Sequence, residues 1–586
     1  MRKRWITTAS DRPAAEAVRD AAAWGVPLPL ARLLRLRGFD SPSAVDRFLR
    51  PRLSALDDPL RLPDMPAAVE RIERAIVANE RLVVFGDYDV DGITATALLT
   101  RCLRALGADV HPFLPHRVED GYGLRPETTR RCISELRPRL IVTVDCGVNA
   151  AEAVAAARAE GVEVVVTDHH LPGASPRPDA CAIVNPKLAS TPEPWRDLAG
   201  VGVAFKLCHA LLKAGRNRRR AEAHGVDLRR WLDLVALGTI ADAVPLTGEN
   251  RILARHGLDI LNRKPSPGLR ALLEVATAHG EIGSYQIGFV IGPRLNAAGR
   301  LDTAEKAFAL LDAESIEEAR PLAESLDAAN RERQKIEARA LEEAEQWVAA
   351  HFDPQRDFGI VVAGHGWHPG IIGLIASRLA LRHRRPVVAI SIADNGAARG
   401  SSRSIEGFHL VEALDTCADL LDSYGGHAQA AGLTLPADSI DAFRQRFLAY
   451  AGQELAGADL RPPLRIDQWI PLADADESLL EAVRQMRPFG QDNPAPVWAA
   501  RRVQAMRRVP VGAQGRHLRL TLADGGVQRE AIGFHLGARP MPECPLDIAF
   551  ELQYNEFNGR RILQLLLLDF RPSEPDPPQK KQPEPI

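Results

Sequence analysis

Short apolar runs that stop abruptly at charged or small residues recur along the first half of the chain. Leu82–Phe85, Leu140–Val144, Glu163–Thr167 and Ala182–Asn185 are such runs. Apolar at successive positions, they read as strands buried on both faces of a parallel sheet. The segments between them carry helical spacing: Pro66–Asn79 is amphipathic, Ile93–Leu106 follows the first strand, and Ala150–Ala159 has the length of a βαβ crossover. Gly200–Leu212 and Leu228–Ile240 read as further helices, the second closed by Pro245. Pro112–Gly123 reads as a loop. Together these segments predict one α/β domain over residues 61–315.

The pattern then changes twice. Glu314–Ala350 is dense in Ala, Glu, Arg and Leu and reads as a long charged helix, its body over 316–350 acting as a strut. A second α/β domain, 351–460, opens with strand Phe358–Ala363, continues in a helix to Leu381 and adds strand Val387–Ile392. From 461 to 572 short β-runs take over: Pro496–Ala500, Leu518–Leu522, Ala531–Phe534, Leu546–Leu552 and Arg561–Leu568, with one helix, Glu477–Met486. Five short strands and a helix suit a small barrel of the OB type. Residues 1–60 read as short helices packed on the first α/β domain, and 573–586 as a disordered tail. The expected architecture is α/β multidomain: two parallel-sheet α/β domains joined by a long helix, with a C-terminal OB-type β-barrel.

Composition narrows the setting. The 586 residues carry a net charge of −2, so no global positive field marks a nucleic-acid binder. The basic runs Arg216–Arg220, Arg382–Arg385 and Arg507–Arg508 fit solvated faces better than binding sites. Seven scattered cysteines without a CxxC pair suit reduced thiols and a cytoplasmic location. The N-terminus has no apolar signal core, and no window of ~20 apolar residues predicts a membrane span.

Chemistry gathers where the strands end. Asp87, Asp89 and Asp91, bracketed by Gly86 and Gly92, follow the first strand. Three carboxylates on one loop repel one another unless cations lie among them; helix-capping aspartates in a turn are the alternative. The next two strands favour the metal. One ends at Asp145 and the other at Asp168, His169 and His170, and strand carboxyl ends in a parallel sheet face one crevice. Asp242, at the end of a helix, is either an ordinary terminal carboxylate or a further ligand.

Other candidates are weaker. Arg117 and Tyr122 sit in the loop, either solvated or as a phosphate clamp. Arg294, Asn296 and Arg300 flank small residues and suit either phosphate contact or structural hydrogen bonding. Gly400-Ser-Ser-Arg-Ser, with Ser401 and Arg403, reads as a phosphate-binding loop. His365, His368 and His427 have no accompanying carboxylates and fit substrate contact better than metal. In the barrel, Trp498, Phe534, Tyr554 and Phe557, with Arg516, His517, Arg519 and Arg560, are candidates for stacking single-strand bases; each ring taken alone fits core better than platform.

Asp87-Tyr-Asp-Val-Asp-Gly, Asp145-Cys-Gly, Asp168-His-His and Ala241-Asp242 resemble the successive motifs of the DHH phosphoesterase superfamily. Gly364–Gly373, Gly400–Ser404 and Gly425-Gly-His427 resemble its partner domain, DHHA1. With the long helix and the barrel, the set is similar to the bacterial single-strand-specific 5′→3′ DNA exonucleases of that superfamily, acting in recombination and repair. The resemblance implies two divalent metal ions, Mn²⁺ favoured and Mg²⁺ the alternative. Asp87 would bind one, Asp89 the other, Asp145 would bridge them, and His169 and Asp242 would complete the second. Asp89, Asp145, His169 and His170 would carry the catalysis, with Asp91 and Asp168 supporting the ligands or facing the substrate. Arg117, Tyr122, Ser401 and Arg403 would hold the 5′ end, Arg300 and Asn296 the backbone, and His427 the scissile region. Small pyrophosphatase relatives carry a His four residues before the first Asp; here it is Val83, which leaves the first metal fewer protein ligands. The implied partners are single-stranded DNA, a single-strand-binding protein and a RecQ-type helicase, with a monomeric protein and no membrane. Rival readings are a phosphoesterase acting on oligoribonucleotides or cyclic dinucleotides, and a non-catalytic DNA-binding scaffold.

Overall fold

The computed structural model describes residues 3–7, 14–116, 120, 123–173, 176–188, 193–277, 280–301, 303–557 and 560–573. Along the chain its strands are β1 (Arg4–Thr7), β2 (Leu82–Phe85), β3 (Val110–Phe113), β4 (Leu140–Thr143), β5 (Glu163–Thr167), β6 (Ala182–Val184), β7 (Ile360–His365), β8 (Val387–Ile392), β9 (Ala397–Arg403), β10 (Ser423–Gly426), β11 (Ala430–Pro436), β12 (Pro463–Ile466), β13 (Gln468–Trp469), β14 (Trp498–Val511), β15 (His517–Asp524), β16 (Val527–Gly533), β17 (Leu546–Phe557) and β18 (Arg560–Pro572). The chain divides into two units, one of Leu53–Leu460 with Gly490–Asp492, the other of Met1–Arg52, Arg461–Phe489 and Asn493–Ile586.

In the larger unit the first sheet has the order β3-β2-β4-β5-β6 and is parallel throughout. Alternate residues supply two separate cores, as strand geometry requires. Leu82, Val84, Leu140 and Val142 pack with Ile72, Leu98 and Val203 on one face. Val83, Phe85 and Ile141 pack with Cys132 and Val154 on the other. The chain leaves β2 to form β3 on one side, then returns to form β4 on the other. That reversal opens a crevice beyond the carboxyl ends of β2 and β4.

β3 corrects the sequence reading, which took residues from Pro112 onward as loop. Val110–Phe113 is an edge strand, a position that tolerates the missing N–H of Pro112. Lys206 lies fully buried beneath this domain. Its Nζ donates to Glu249 Oε1 at 2.7 Å and to the Asp57 carbonyl at 2.8 Å.

The second sheet runs β10-β11-β9-β8-β7. Only its β7–β8 pair is parallel; β9, β10 and β11 run antiparallel, so the second α/β domain has a mixed sheet. Gly400–Arg403 belongs to β9 and is not a loop, as the sequence reading had it. Ala398, Gly400 and Ser402 alternate inward, and Ser402 Oγ donates to the Ala431 carbonyl at 2.9 Å. The long helix spans Ile316–His351, capped by Ser315, whose hydroxyl accepts from Glu318 N at 3.2 Å. Its early face, Ala319, Ala323 and Leu326, packs with Ile287, Ile291 and Leu295. Its late face, Ala340, Ala344 and Val348, packs under β7 and β8.

In the other unit β14, β15, β16, β18 and β17 join in order, and β17 pairs back onto β14. The result is a closed five-stranded barrel. The N-terminal residues pack here, which corrects their expected place on the first α/β domain. β1 pairs in parallel with β12, and Trp24, Leu30, Leu34 and Leu49 share a core with Ile470, Trp498 and Ile548. Short amphipathic helices carry no address; only the complementary apolar surface decides where they dock. No helix among the described residues is long and apolar enough to cross a membrane.

Removing one partner of a buried ion pair leaves the other uncompensated, at a cost of about 3–5 kcal/mol. Lys206→Met should therefore lower the thermal midpoint of the larger unit by several degrees. Lys206→Met with Glu249→Met should recover a substantial part. Circular dichroism melts check both.

Candidate metal centre

β2 delivers the chain into Gly86-Asp87-Tyr88-Asp89, and a helix, Val90–Ala105, starts at once. Asp89 caps it: Oδ1 accepts from Asp91 N at 2.9 Å and Gly92 N at 3.1 Å. The capping alternative is thus realised at Asp89, which also belongs to one of the donor groups described below. Gly92 is required, because a Cβ there would lie 2.5 Å from the Asp87 carbonyl oxygen.

Asp91 points from the first turn of this helix to the start of another, Gly200–Asn217. Its Oδ2 accepts from Gly200 N at 2.6 Å and its Oδ1 from Val201 N at 2.9 Å. A carboxylate at a helix N-terminus gains both orphan N–H groups and a favourable dipole. Asp91 thereby locks the two helices together behind the crevice.

Asp145 follows β4 with a left-handed φ of 62°, unusual for a non-glycine residue. The turn is held by threonines: Thr143 Oγ1 donates to the Cys146 carbonyl at 2.7 Å, and Thr167 Oγ1 to the Thr143 carbonyl at 2.7 Å. Gly200 abuts this carboxylate. A Cβ on it would lie 2.6 Å from Asp145 Oδ1. The sequence reading used Gly200 only as a helix start; its identity here is set by that contact.

Asp168, after β5, is consumed by hydrogen bonds. Oδ1 accepts from His169 N at 2.7 Å, His170 N at 3.1 Å and His170 Nδ1 at 2.7 Å, and Oδ2 accepts from Val148 N at 2.9 Å. It orients the histidine pair. His169 is buried, and its Nε2 lies 3.1 Å from Asp145 Oδ1, 3.6 Å from Asp242 Oδ2 and 3.9 Å from Asp91 Oδ2, hydrogen-bonded to none of them. Asp242 ends the helix Leu232–Ala241 and turns its carboxylate into the same space.

Three groups of donors with atoms within 4.8 Å of one another result: Asp87, Asp89 and Asp145; Asp145, His169 and His170; and Asp91, His169 and Asp242. Asp145 and His169 each belong to two. The electrostatics are those of a site built for cations. Burial, then the neighbouring carboxylates, raise the pKa of Asp91 and Asp145, and burial with Asp89 pushes Asp242 up to about 7. Burial takes His169 down to about 3, keeping it the neutral imidazole a metal requires. His170 is raised: burial opposes its charge, but the Asp168 hydrogen bond and charge outweigh burial. Asp145 Oδ1 and His169 Nε2 are buried without hydrogen-bond partners, as ligand atoms awaiting cations would be. Carboxylates with an imidazole suit Mn²⁺ or Mg²⁺.

The remaining sequence candidates divide. Arg117 and Tyr122, and the side chain of Arg300, lie outside the described residues. Asn296 is half-buried on the helix Gly292–Leu301, its Oδ1 without a hydrogen-bond partner. Arg294 on that helix is structural: Nε donates to Asp327 Oδ1 at 2.9 Å and Nη1 to the Val290 carbonyl at 2.7 Å. Ser401 and Arg403 lie together on β9, Arg403 Nη1 being 3.3 Å from Ser401 Oγ. Gly373, in the first turn of the helix Ile372–His383, packs onto both; a Cβ would sit 3.1 Å from Ser401 Oγ and 3.2 Å from Arg403 Nη2. His427 is exposed after β10, its N donating to the Ala430 carbonyl at 2.8 Å. His365 is exposed at the end of β7, and His368 Nδ1 accepts from Gly370 N at 3.0 Å.

In the barrel, Trp498 is fully buried and is core, not a stacking platform. Phe534 is exposed, with His517 edge-on at 5.2 Å. The Tyr554 ring carries the Arg561 guanidinium 3.6 Å from its centroid. Arg516 and Arg519 are exposed, whereas the side chains of Phe557 and Arg560 lie outside the described residues.

Three family models match the chain: the DHH family N-terminal domain over residues 81–239, the DHHA1 domain over 357–453 and the RecJ OB domain over 466–569. The chain is 39% identical to the single-stranded-DNA-specific exonuclease RecJ of Dickeya dadantii, covering 96% of this chain and 98% of the relative. It is 36% identical to that of Escherichia coli, with 97% and 98% covered. Among solved structures, RecJ from Thermus thermophilus in complex with Mn²⁺ superposes with a TM-score of 0.82 at 32% identity, over 98% of this chain and 80% of that one. A Mg²⁺ complex from the same organism superposes at 0.76, with 31% identity, over 98% and 79%.

Gly200→Ala should push the Asp145 carboxylate aside and weaken Mn²⁺ binding by about 10–100-fold with the fold retained. Titration calorimetry beside circular dichroism checks it. The raised carboxyl pKa values also give a signed pH effect. Below the unfolded value these groups are protonated in both states; from there up to about 7 the unfolded chain ionises while the metal-free fold keeps Asp242 protonated beside Asp89, so stability is lost across that range and the loss levels off above it. The thermal midpoint of the chelator-treated protein should fall as pH rises from about 4 to about 7, and Mn²⁺ should remove most of the loss at pH 7.

Proposed function

The chain belongs to the RecJ family of single-stranded-DNA-specific exonucleases, and on that basis we propose that it degrades single-stranded DNA from the 5′ end and releases 5′-mononucleotides in recombination and repair. The observation that carries the reading is the crevice beyond β2, β4 and β5, where Asp145 and His169 are shared between overlapping donor groups. Sharing is what a pair of adjacent cations requires.

In this reading Asp87 would hold one cation, Asp89 the other, Asp145 would bridge them, and His169 and Asp242 would complete the second. In support, the Asp89 carboxylate is already fixed by two helix amides, so its orientation would be set before any metal binds. When bound, the cations neutralise the scissile phosphate and acidify a water at the site. His170, steadied through Nδ1 by Asp168, stands beside the same donors, where it would contact the phosphate. Asp91 and Asp168 position the helices and the histidines.

The domain divisions follow the same reading. Residues 61–315 and 351–460 form the two halves of the catalytic unit, and 461–572 a barrel that holds the strand. Ser401 and Arg403, next to the first turn of a helix at Gly373, make a phosphate site that receives the 5′ end. By the resemblance, Arg117 and Tyr122 would hold the 5′ end, Arg300 and Asn296 would grip the backbone, and His427 would face the scissile region. A cleft that admits one strand and excludes duplex accounts for single-strand specificity. We also infer a monomer acting in the cytoplasm, where its cysteines, free in the structure, stay reduced. A RecQ-type helicase and a single-strand-binding protein would supply and present the strand.

The test uses 5′-labelled single-stranded DNA and Mn²⁺. Asp145→Ala should lower release of labelled mononucleotide on the order of 10³-fold or more, while binding of the strand persists. Retained activity in that variant would sink the metal assignment. Wild-type protein that hydrolyses a dinucleotide but leaves long DNA intact would sink the exonuclease reading in favour of a small-substrate phosphoesterase.

A further inference from the structure

The helix carrying Asn296 has an unusual approach. It begins as Ser284–Gln286, passes through a π-helical turn at Ile287–Ile291, and becomes α-helical over Gly292–Leu301. Its inner side is conventional: Ile282, Ile287, Ile291 and Leu295 enter the core. Its outer side is not. Tyr285 and Phe289 are 66% and 71% exposed, and their rings stack with centroids 4.9 Å apart and planes at 29°. Gly288 beside them has no atom within 4 Å of the place a Cβ would take, so the rings face open space. Two large aromatic rings left together in water have no role in this protein's own packing. π-turns of this kind recur at functional sites.

The other end of the same helix reaches the metal centre. Gly299 comes close enough to the catalytic loop that a Cβ on it would lie 3.2 Å from the Tyr88 carbonyl, between Asp87 and Asp89. Phe289 and Asn296 are seven residues apart, about 10 Å along the helix. An occupant lying along this helix runs from the aromatic pair towards the loop that bears the metal ligands. A single strand entering the centre is such an occupant. Its unpaired bases offer flat faces, and a ring accepts any of the four, as an enzyme that must advance through every sequence needs. A duplex buries those faces.

We propose that Tyr285 and Phe289 form a base-stacking platform for the part of the single strand that lies 3′ to the scissile phosphate. The proposal rests on the exonuclease reading above. The platform acts on the strand still to be degraded, so it contributes to KM for long DNA. It also discriminates between strands with and without bases at one place along the path.

The test compares wild type with Tyr285→Ala/Phe289→Ala, Phe289→Leu and Phe289→Tyr on long 5′-phosphorylated single strands with Mn²⁺. A set of strands also carries one abasic nucleotide at successive positions from the 5′ end. Loss of one base–aromatic stack is expected to raise KM on the order of tenfold. The double variant should show that rise or more with kcat little changed, Phe289→Leu should share it, and Phe289→Tyr should restore the wild-type value. In the wild type an abasic nucleotide at one or two neighbouring positions 3′ to the first bond should raise KM similarly, and the double variant should ignore it. Wild type indifferent to every abasic position overturns the platform whether or not any variant folds. So does an unchanged KM in the double variant, or a change only in its oligomeric state. Wild type that fails to degrade intact single strands overturns the exonuclease reading, and the platform falls with it.

Discussion

Mutual repulsion among buried carboxylates is the constraint on which this structure turns. Asp87, Asp91 and Asp145 are almost fully buried, and Asp89 and Asp242 open into the same space. In a low-dielectric interior such charges are expensive singly and worse together. Three devices make the arrangement tolerable. Helix N-termini take Asp89 and Asp91 through backbone amides. Raised pKa values let protons stand in where no cation is bound. His169 stays neutral among them instead of forming an ion pair that would occupy the ligand positions.

Close approach is the second requirement, and glycine supplies it. Gly92 lets the helix turn tightly under Asp87, and Gly200 lets a helix start against Asp145. In the second sheet Gly373 does the same for Ser401 and Arg403. The two halves of the larger unit thus use one construction, a helix start pressed against polar side chains at a sheet. The helix Ile316–His351 links them by placing one face in each core.

The metal centre was largely legible because strand periodicity and strand order concentrate function at one place. Once Leu82–Phe85, Leu140–Val144 and Glu163–Thr167 are read as parallel strands, the residues that follow them must converge. What was misread shares a different property. Val110–Phe113 contains a proline and is half polar, so only the free edge beside β2 makes it a strand. Gly400–Arg403 has loop composition, yet antiparallel partners on both sides extend it into β9. Two positions left open were decided by distant contacts: Arg294 is held by Asp327, the structural alternative, and Trp498 is core, with the N-terminal helices packed against it.

The sequence by itself determined the buried parallel strands β2, β4 and β5, the acidic and histidine groups that gather beyond them, and the family to which they belong. These depend on local spacing, which a chain carries with it. Only the tertiary structure decided that Arg4–Thr7 and residues 15–52 pack with the barrel, that Asp91 and Asp168 support the centre through backbone amides and His170, and that Tyr285 and Phe289 stand exposed on a helix leading to the Asp87–Asp89 loop. Each of these depends on which distant surface meets a residue, and docking of one apolar face against another is governed by area and shape rather than by any local pattern.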